Sequence, residues 1–162
     1  MNIPAWEAMH PLVVHFPVAL FCITPLLILM AIFFDKWRRP IILCALVVAF
    51  IAVLSGYTAV ATGEDSAVTF APLMQADKEL AEAVELHEGY AKTTAHYFSG
   101  LFTAILVLFV MPYFLRESLG PKLERAFLGL IALLSLPMLY LLIKAGHAGG
   151  MLVHHYGLQA PL

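Results

Sequence analysis

Charge is scarce in this chain. Asp, Glu, Lys and Arg make up only 12% of its 162 residues, while 62% are apolar. An ordinary soluble domain carries about 25% charged residues, so a chain with a mean hydropathy of +0.88 is excluded from that class. Cysteine is nearly absent, with only Cys22 and Cys44 and no Cys-x-x-Cys-His, which excludes a covalently attached c-type haem. The two cysteines fall at different depths of two apolar runs, so they read as small core residues and not as a disulfide. Period-two alternation is missing over any long run, which excludes a lipid-facing barrel. There is no phosphate-binding glycine loop, no nucleophile constellation and no basic patch for nucleic acid. A basic leader is lacking and the first apolar run is too long for a signal-peptide core, so it reads as a retained span. No convincing internal repeat or low-complexity tract is visible in the letters.

What is present is apolar length. Residues 11–34, 40–62, 96–115 and 126–146 form four runs, each about long enough to cross a ~30 Å hydrocarbon layer at ~1.5 Å per residue. The expected fold is an all-α membrane protein, a four-transmembrane-helix bundle forming a single integral membrane domain over residues 1–162. Two helical hairpins are joined by an external segment, 63–95. Thr62-Gly63 reads as the end of the second span and 65–72 as loop. From Gln75 onward, Leu80, Ala83, Val84 and Leu86 recur at helical spacing. They predict an amphipathic external helix before the third span, lying at the interface or running straight into that span. Pro17, Pro25, Pro112 and Pro137 lie inside spans and predict kinks.

The basic residues orient the bundle. Lys36, Arg38 and Arg39 fall in one turn and Arg116, Lys122 and Arg125 in another, against Lys78, Lys92 and Lys144 on the opposite side. Positive charge marks the cytoplasmic loops, so both termini are expected on the outer side. The outer side is acidic, with Glu7, Glu64, Asp65, Asp77, Glu79, Glu82, Glu85 and Glu88. It would repel polyanions and attract cations or a basic cytochrome.

All seven histidines lie at that outer end. His10 and His15 open the first span in the motif His10-Pro11-Leu12-Val13-Val14-His15-Phe16-Pro17; Pro11 suits a first helical position. His87 and His96 lead into the third span, and His147, His154 and His155 close the fourth. Imidazole beside lipid is a functional suspect, because an unpaired polar group there costs about 1–3 kcal/mol. The plain alternative for His15 is a hydrogen bond to a carbonyl or to Glu88. His96 and Gly100 share a helix face, as do His147 and His154, while His87 and His96 fall on opposite sides of their helix. Gly146, Gly149, Gly150 and Gly157 crowd the fourth segment, permitting tight packing or a flat cofactor. These features predict that His15, His96 and His147 converge in one polar-lined cavity, with His10, His87 and His154 around it. His155 reads as an exposed tail residue, and Glu82, Glu85 and Glu88 read as a solvated face.

The ordered set His10-Pro11-Leu12-Val13-Val14-His15-Phe16-Pro17-Val18-Ala19-Leu20, Thr62-Gly63-Glu64, His87-Glu88 and Gly146-His147-x-Gly149-Gly150-x-Leu152-Val153 resembles the DUF2231 family. These are uncharacterised small bacterial membrane proteins with four predicted spans. The resemblance covers nearly the whole chain and implies that His10, His15 and His147 occupy motif positions. It also implies the bacterial inner membrane as the location, and it supplies no activity.

Three functions remain open from the residues. The first is a haem b electron-transfer protein with two histidine axial ligands from different helices, drawn from His15, His96 and His147, with Gly100, Gly149 and Gly150 giving room for the macrocycle. It would pass electrons between quinol in the membrane and an external cytochrome. The second is a non-haem zinc, copper or iron site built from His10, His15, His87, His96, His147, His154 and Glu88. The third is a scaffold subunit of a larger complex, or a homo-oligomer, whose histidines only bond neighbours. Each is a carrier or binding role more than an enzyme's. Lipid is the one partner common to all three.

Overall fold

The computed structural model describes Trp6, residues 9–115 and residues 120–158. Among these residues all regular structure is helical. The elements are α1 (His10–Val13), α2 (His15–Phe33), a 3-10 turn (Asp35–Trp37), α3 (Arg38–Thr69), α4 (Ala71–Ala76), α5 (Lys78–Leu115) and α6 (Pro121–His154). Four segments are long and apolar enough to cross a membrane: His10–Phe33, Asp35–Thr69, Lys78–Leu115 and Pro121–His154. The fold is the expected all-α, four-helix membrane protein.

Helix neighbours close into a ring, with α2 packing on α3, α3 on α5, α5 on α6 and α6 on α2. Lipid tails are as apolar as leucine, so these contacts depend on close packing more than on hydrophobic transfer. The buried face of α3 shows how: Ala45, Ala49, Ala52, Gly56 and Ala59 recur at three- and four-residue steps. Small residues let neighbouring backbones approach. At Gly56 an added Cβ would stand 3.0 Å from Phe21 Cζ, so the missing side chain is what seats that ring. Phe21 then stacks on Phe98 of α5, with centroids 4.2 Å apart.

At the arginine-rich end the bundle is tied by charge. Buried Arg38 donates from Nε to the Ala31 carbonyl at 3.0 Å and from Nη1 to Glu124 at 3.4 Å, and it also pairs with Asp35. Arg39 lies 3.6 Å from Glu124 and donates to the Phe109 carbonyl, while Arg125 pairs with Asp35. The buried carboxylate and guanidinium compensate one another, without which each would be costly.

Several expectations need correction. Residues 65–72 are not an extended loop, since α3 continues through Thr69 and α4 follows after Phe70. Nothing in 63–69 forbids helix, and Thr62, Ser66 and Thr69 hydroxyls fold back onto carbonyls of the preceding turn. Of the two alternatives for the amphipathic segment the structure takes the second: it runs straight into the third span as α5, unbroken for 38 residues. The first helix is interrupted at Val14 and not at Pro25. Pro17 has no N–H to give the Val13 carbonyl, and the helical ladder breaks one turn earlier. Cys22 and Cys44 are free but exposed on the outside of the bundle, not in its core. In the turn expected over 116–125, Gly120 caps α6 and Pro121 opens it, while Arg116 lies outside the described residues. Glu7 also lies outside them.

Candidate functional site

Two histidines meet at the end of the bundle opposite the arginines. His10, at the start of α1, and His87, three turns into α5, are both half-buried. Their ring centroids are 6.2 Å apart and their planes nearly perpendicular, at 83°. Each ring is anchored the same way. His10 Nδ1–H donates to the Ala59 carbonyl of α3 at 3.0 Å, with the Thr62 hydroxyl 3.2 Å away. His87 Nδ1–H donates to the Ala145 carbonyl of α6 at 2.9 Å. A carbonyl only accepts, so Nδ1 carries the proton and, in the neutral ring, Nε2 keeps its lone pair.

Under each ring lies a glycine four residues beyond that carbonyl. A Cβ on Gly63 would stand 3.0 Å from His10 Cε1, and one on Gly149 would stand 2.9 Å from His87 Cε1. The glycines thus act as seats for imidazole. Beside the pair, Lys92 Nζ bridges Glu64 of α3 at 2.7 Å and Glu88 of its own helix at 2.6 Å. That bridge ties α3 to α5 at the histidine end.

The structure does not bring His15, His96 and His147 together; all three are exposed. His15 follows the break at Val14 and faces outward. His96 donates from Nδ1 to the Lys92 carbonyl of its own helix at 2.7 Å, and its ring stands edge-on to Tyr57 at 5.7 Å. His147 lines a hollow of about 220 Å³ between α5 and α6 with Tyr90, Lys144 and Tyr156, and neither His15 nor His96 lines it. Helical phase explains the scatter. The faces these residues occupy point away from the bundle axis, whereas those of His10 and His87 point at it.

The remaining candidates are placed as follows. His154 and His155 are exposed at the end of α6. The Glu88 carboxylate is engaged by Lys92. Gly100 and Gly150 have no atom near a would-be Cβ, and Gly149 is filled by His87, so the three do not outline a common slot. Among the described residues no group of three or more His, Cys, Asp or Glu is arranged to hold an ion. Ala59 and Ala145 escaped sequence reasoning, and Thr62 and Gly63 entered it only as a span end and in the motif Thr62-Gly63-Glu64. A signal for their role is a small pattern that occurs twice, Ala-x-x-Thr-Gly at 59–63 and Ala-x-x-Ala-Gly at 145–149.

Fold and site together define a polytopic all-α membrane protein with a carbonyl-anchored histidine pair at one end. The family model described as "Predicted membrane protein (DUF2231)" matches residues 7–161, and the chain belongs to that family. No curated protein and no solved structure matches it.

Proposed function

We propose that the protein is a membrane haem b electron-transfer protein whose axial ligands are His10 and His87. The observation that carries this reading is the pair itself: two imidazoles from different helices, each held through Nδ1 and each left with Nε2 free. Ligand histidines in metal sites are held this way, because a carbonyl on the far nitrogen fixes both tautomer and orientation. With a metal–nitrogen bond of about 2 Å and a ring nitrogen about 1 Å from its centroid, imidazoles on opposite sides of one ion have centroids about 6 Å apart. The observed 6.2 Å is of that size, and it is also that of an ordinary edge-on ring contact.

The donor count favours haem over a bare ion. A zinc, copper or non-haem iron ion draws three or more protein donors, and here only two converge. Haem brings four nitrogens of its own and needs two from the protein. The small residues around the pair seat the rings, with Gly63 packed under His10 and Gly149 under His87. When bound, haem would supply a one-electron couple. The protein's part would be to fix the two imidazoles and hold them beside lipid. Quinol as donor and a basic external cytochrome as acceptor would suit the acidic histidine end, and the basic-residue bias supports reading that end as the outer side of a bacterial inner membrane.

A second reading has its own support: both rings are already hydrogen-bonded across helices, which is what scaffold histidines do. The absorption spectrum of protein purified from its native membrane separates the two. The proposal requires a Soret band and a sharp reduced α-band, both lost in His10→Ala and in His87→Ala. A protein without Soret absorption hands the case to the scaffold reading, or to a metal ion if elemental analysis finds one in stoichiometric amount.

A further inference from the structure

We infer that the chain is two copies of one two-helix unit, α2–α3 and α5–α6, related by an approximate two-fold axis along the bundle, and that His10 and His87 are the equivalent halves of one site on that axis. The assignment of the pair as ligands rests on the proposal above; the two-fold does not.

A shift of 77 positions carries the first helix of one unit onto that of the other. The buried residues Pro17, Phe21, Thr24, Ile28 and Ala31 then fall on Thr94, Phe98, Leu101, Ile105 and Leu108, all buried, while buried Pro25 falls on half-buried Phe102. A shift of 86 does the same for the second helices. Arg38, Ile42, Ala45, Ala49, Ala52, Ala59 and Thr62 fall on Glu124, Leu128, Ile131, Ser135, Met138, Ala145 and Ala148, again all buried. Helical periodicity alone makes some shifts agree in burial. It does not explain why the same two shifts also superpose the special contacts. His10 on the Ala59 carbonyl over Gly63 becomes His87 on the Ala145 carbonyl over Gly149. Arg39 falls on Arg125, although their partners differ, Glu124 and the Phe109 carbonyl for the first and Asp35 for the second.

A residue that touches its own counterpart must lie on the axis. Three such pairs occur at three levels: His10 with His87, Phe21 with Phe98 and Arg38 with Glu124. They mark the axis from one end of the bundle to the other. Away from it the copies have diverged. Gly56 answers to Leu142, His15 to Lys92, and Glu64 to Gly150. One site per chain follows, with one occupant held by equivalent donors.

Spin-label distances in the full-length protein test the two-fold without reference to any cofactor. In a Cys22→Ser/Cys44→Ser background, Leu26→Cys with Tyr140→Cys is carried by the axis onto Thr103→Cys with Leu54→Cys. All four positions are exposed. The two pairs are expected to give coincident distance distributions; means differing by more than the label's own spread overturn the inference. The site is tested by counting: one haem per chain, with His10→Ala and His87→Ala losing it to the same extent. Two haems per chain, or loss in only one variant, overturn the single equivalent site. Coincident distances in a protein that binds no haem would retire the proposed function and leave the duplicated unit standing.

Discussion

Replacing Gly149 by alanine isolates the seat of His87. The new methyl carbon would lie 2.9 Å from Cε1, 3.2 Å from Nδ1 and 3.6 Å from Nε2 of the ring. A free side chain would swing away at little cost. This one is pinned, because Nδ1 is bonded to the Ala145 carbonyl at 2.9 Å and the ring is faced by His10. Relieving the clash therefore sacrifices that hydrogen bond, worth about 0.5–1.5 kcal/mol, or strains the packing by about 1–3 kcal/mol. Alanine returns up to about 1 kcal/mol in helix propensity. Net of that return, the expectation is destabilisation by up to about 2 kcal/mol, or up to about 8 °C in melting temperature for a chain of this size.

Gly100→Ala and Gly146→Ala are the controls. Neither added methyl meets any atom within 4 Å, so only the propensity gain remains and both should melt at or above the wild type. The assay is thermal unfolding in one detergent, followed by near-ultraviolet circular dichroism, with the absorption spectrum recorded on the same samples. Gly149→Ala should also weaken any haem signal, because it moves a ligand. A Gly149→Ala protein that melts with the controls would refute the seat, and with it the claim that these glycines exist to hold imidazole.

Gly63→Ala should behave like Gly149→Ala, since its Cβ would lie 3.0 Å from His10 Cε1; equal losses in melting temperature are the expected result. His15→Ala, His96→Ala and His147→Ala should leave the absorption spectrum unchanged, because none of these rings reaches the pair; loss of the Soret band in any of them would return that residue to the site. Glu124→Ala should cost about 1–3 kcal/mol by removing one partner of buried Arg38, which keeps Asp35 and the Ala31 carbonyl, whereas Arg38→Met with Glu124→Leu should cost less; urea or thermal denaturation in detergent reads both. Val68→Cys, 71% exposed at the histidine end, should react with an impermeant thiol reagent applied outside the cell, and Lys36→Cys should not; the reverse pattern would invert the topology.

Why the fold was legible and the site only partly so comes down to what each depends on. Four apolar runs must become four helices, because lipid offers the backbone no other partners. Their ends were less legible: 63–69 carries Glu64, Asp65 and Ser66, which mark the end of the hydrocarbon and say nothing against helix. The charge that ends a membrane span does not end a helix, and α3 passes from lipid to water without a break. In α5 the letters leave two alternatives open, since its amphipathic first half and apolar second half suit different solvents, and the structure takes the continuous one.

For the site, sequence identified the end of the bundle but not the pair, and the reason is rotational phase. Depth can be read by counting residues from a span's edge, and it placed all the histidines at one level. Which of them face inward depends on helix rotation, which nearly uniform apolar runs do not encode. Even Pro17, whose break at Val14 separates His10 from His15, acts through geometry that a letter pattern does not show. The repeat was hidden for a related reason. Between the two units identity survives mainly where a contact demands one residue, as at His10 and His87, Phe21 and Phe98, Ala59 and Ala145, and Gly63 and Gly149. Elsewhere alanine answers to isoleucine, serine or methionine, because packing in lipid asks only for complementary size. The shift also changes from 77 to 86 at the turn, so no single offset aligns both helices. Equivalence became visible only once burial and contacts, and not letters, were compared; beside those contact positions, Ile28 and Ile105, Leu29 and Leu106, and Arg39 and Arg125 also kept their letters.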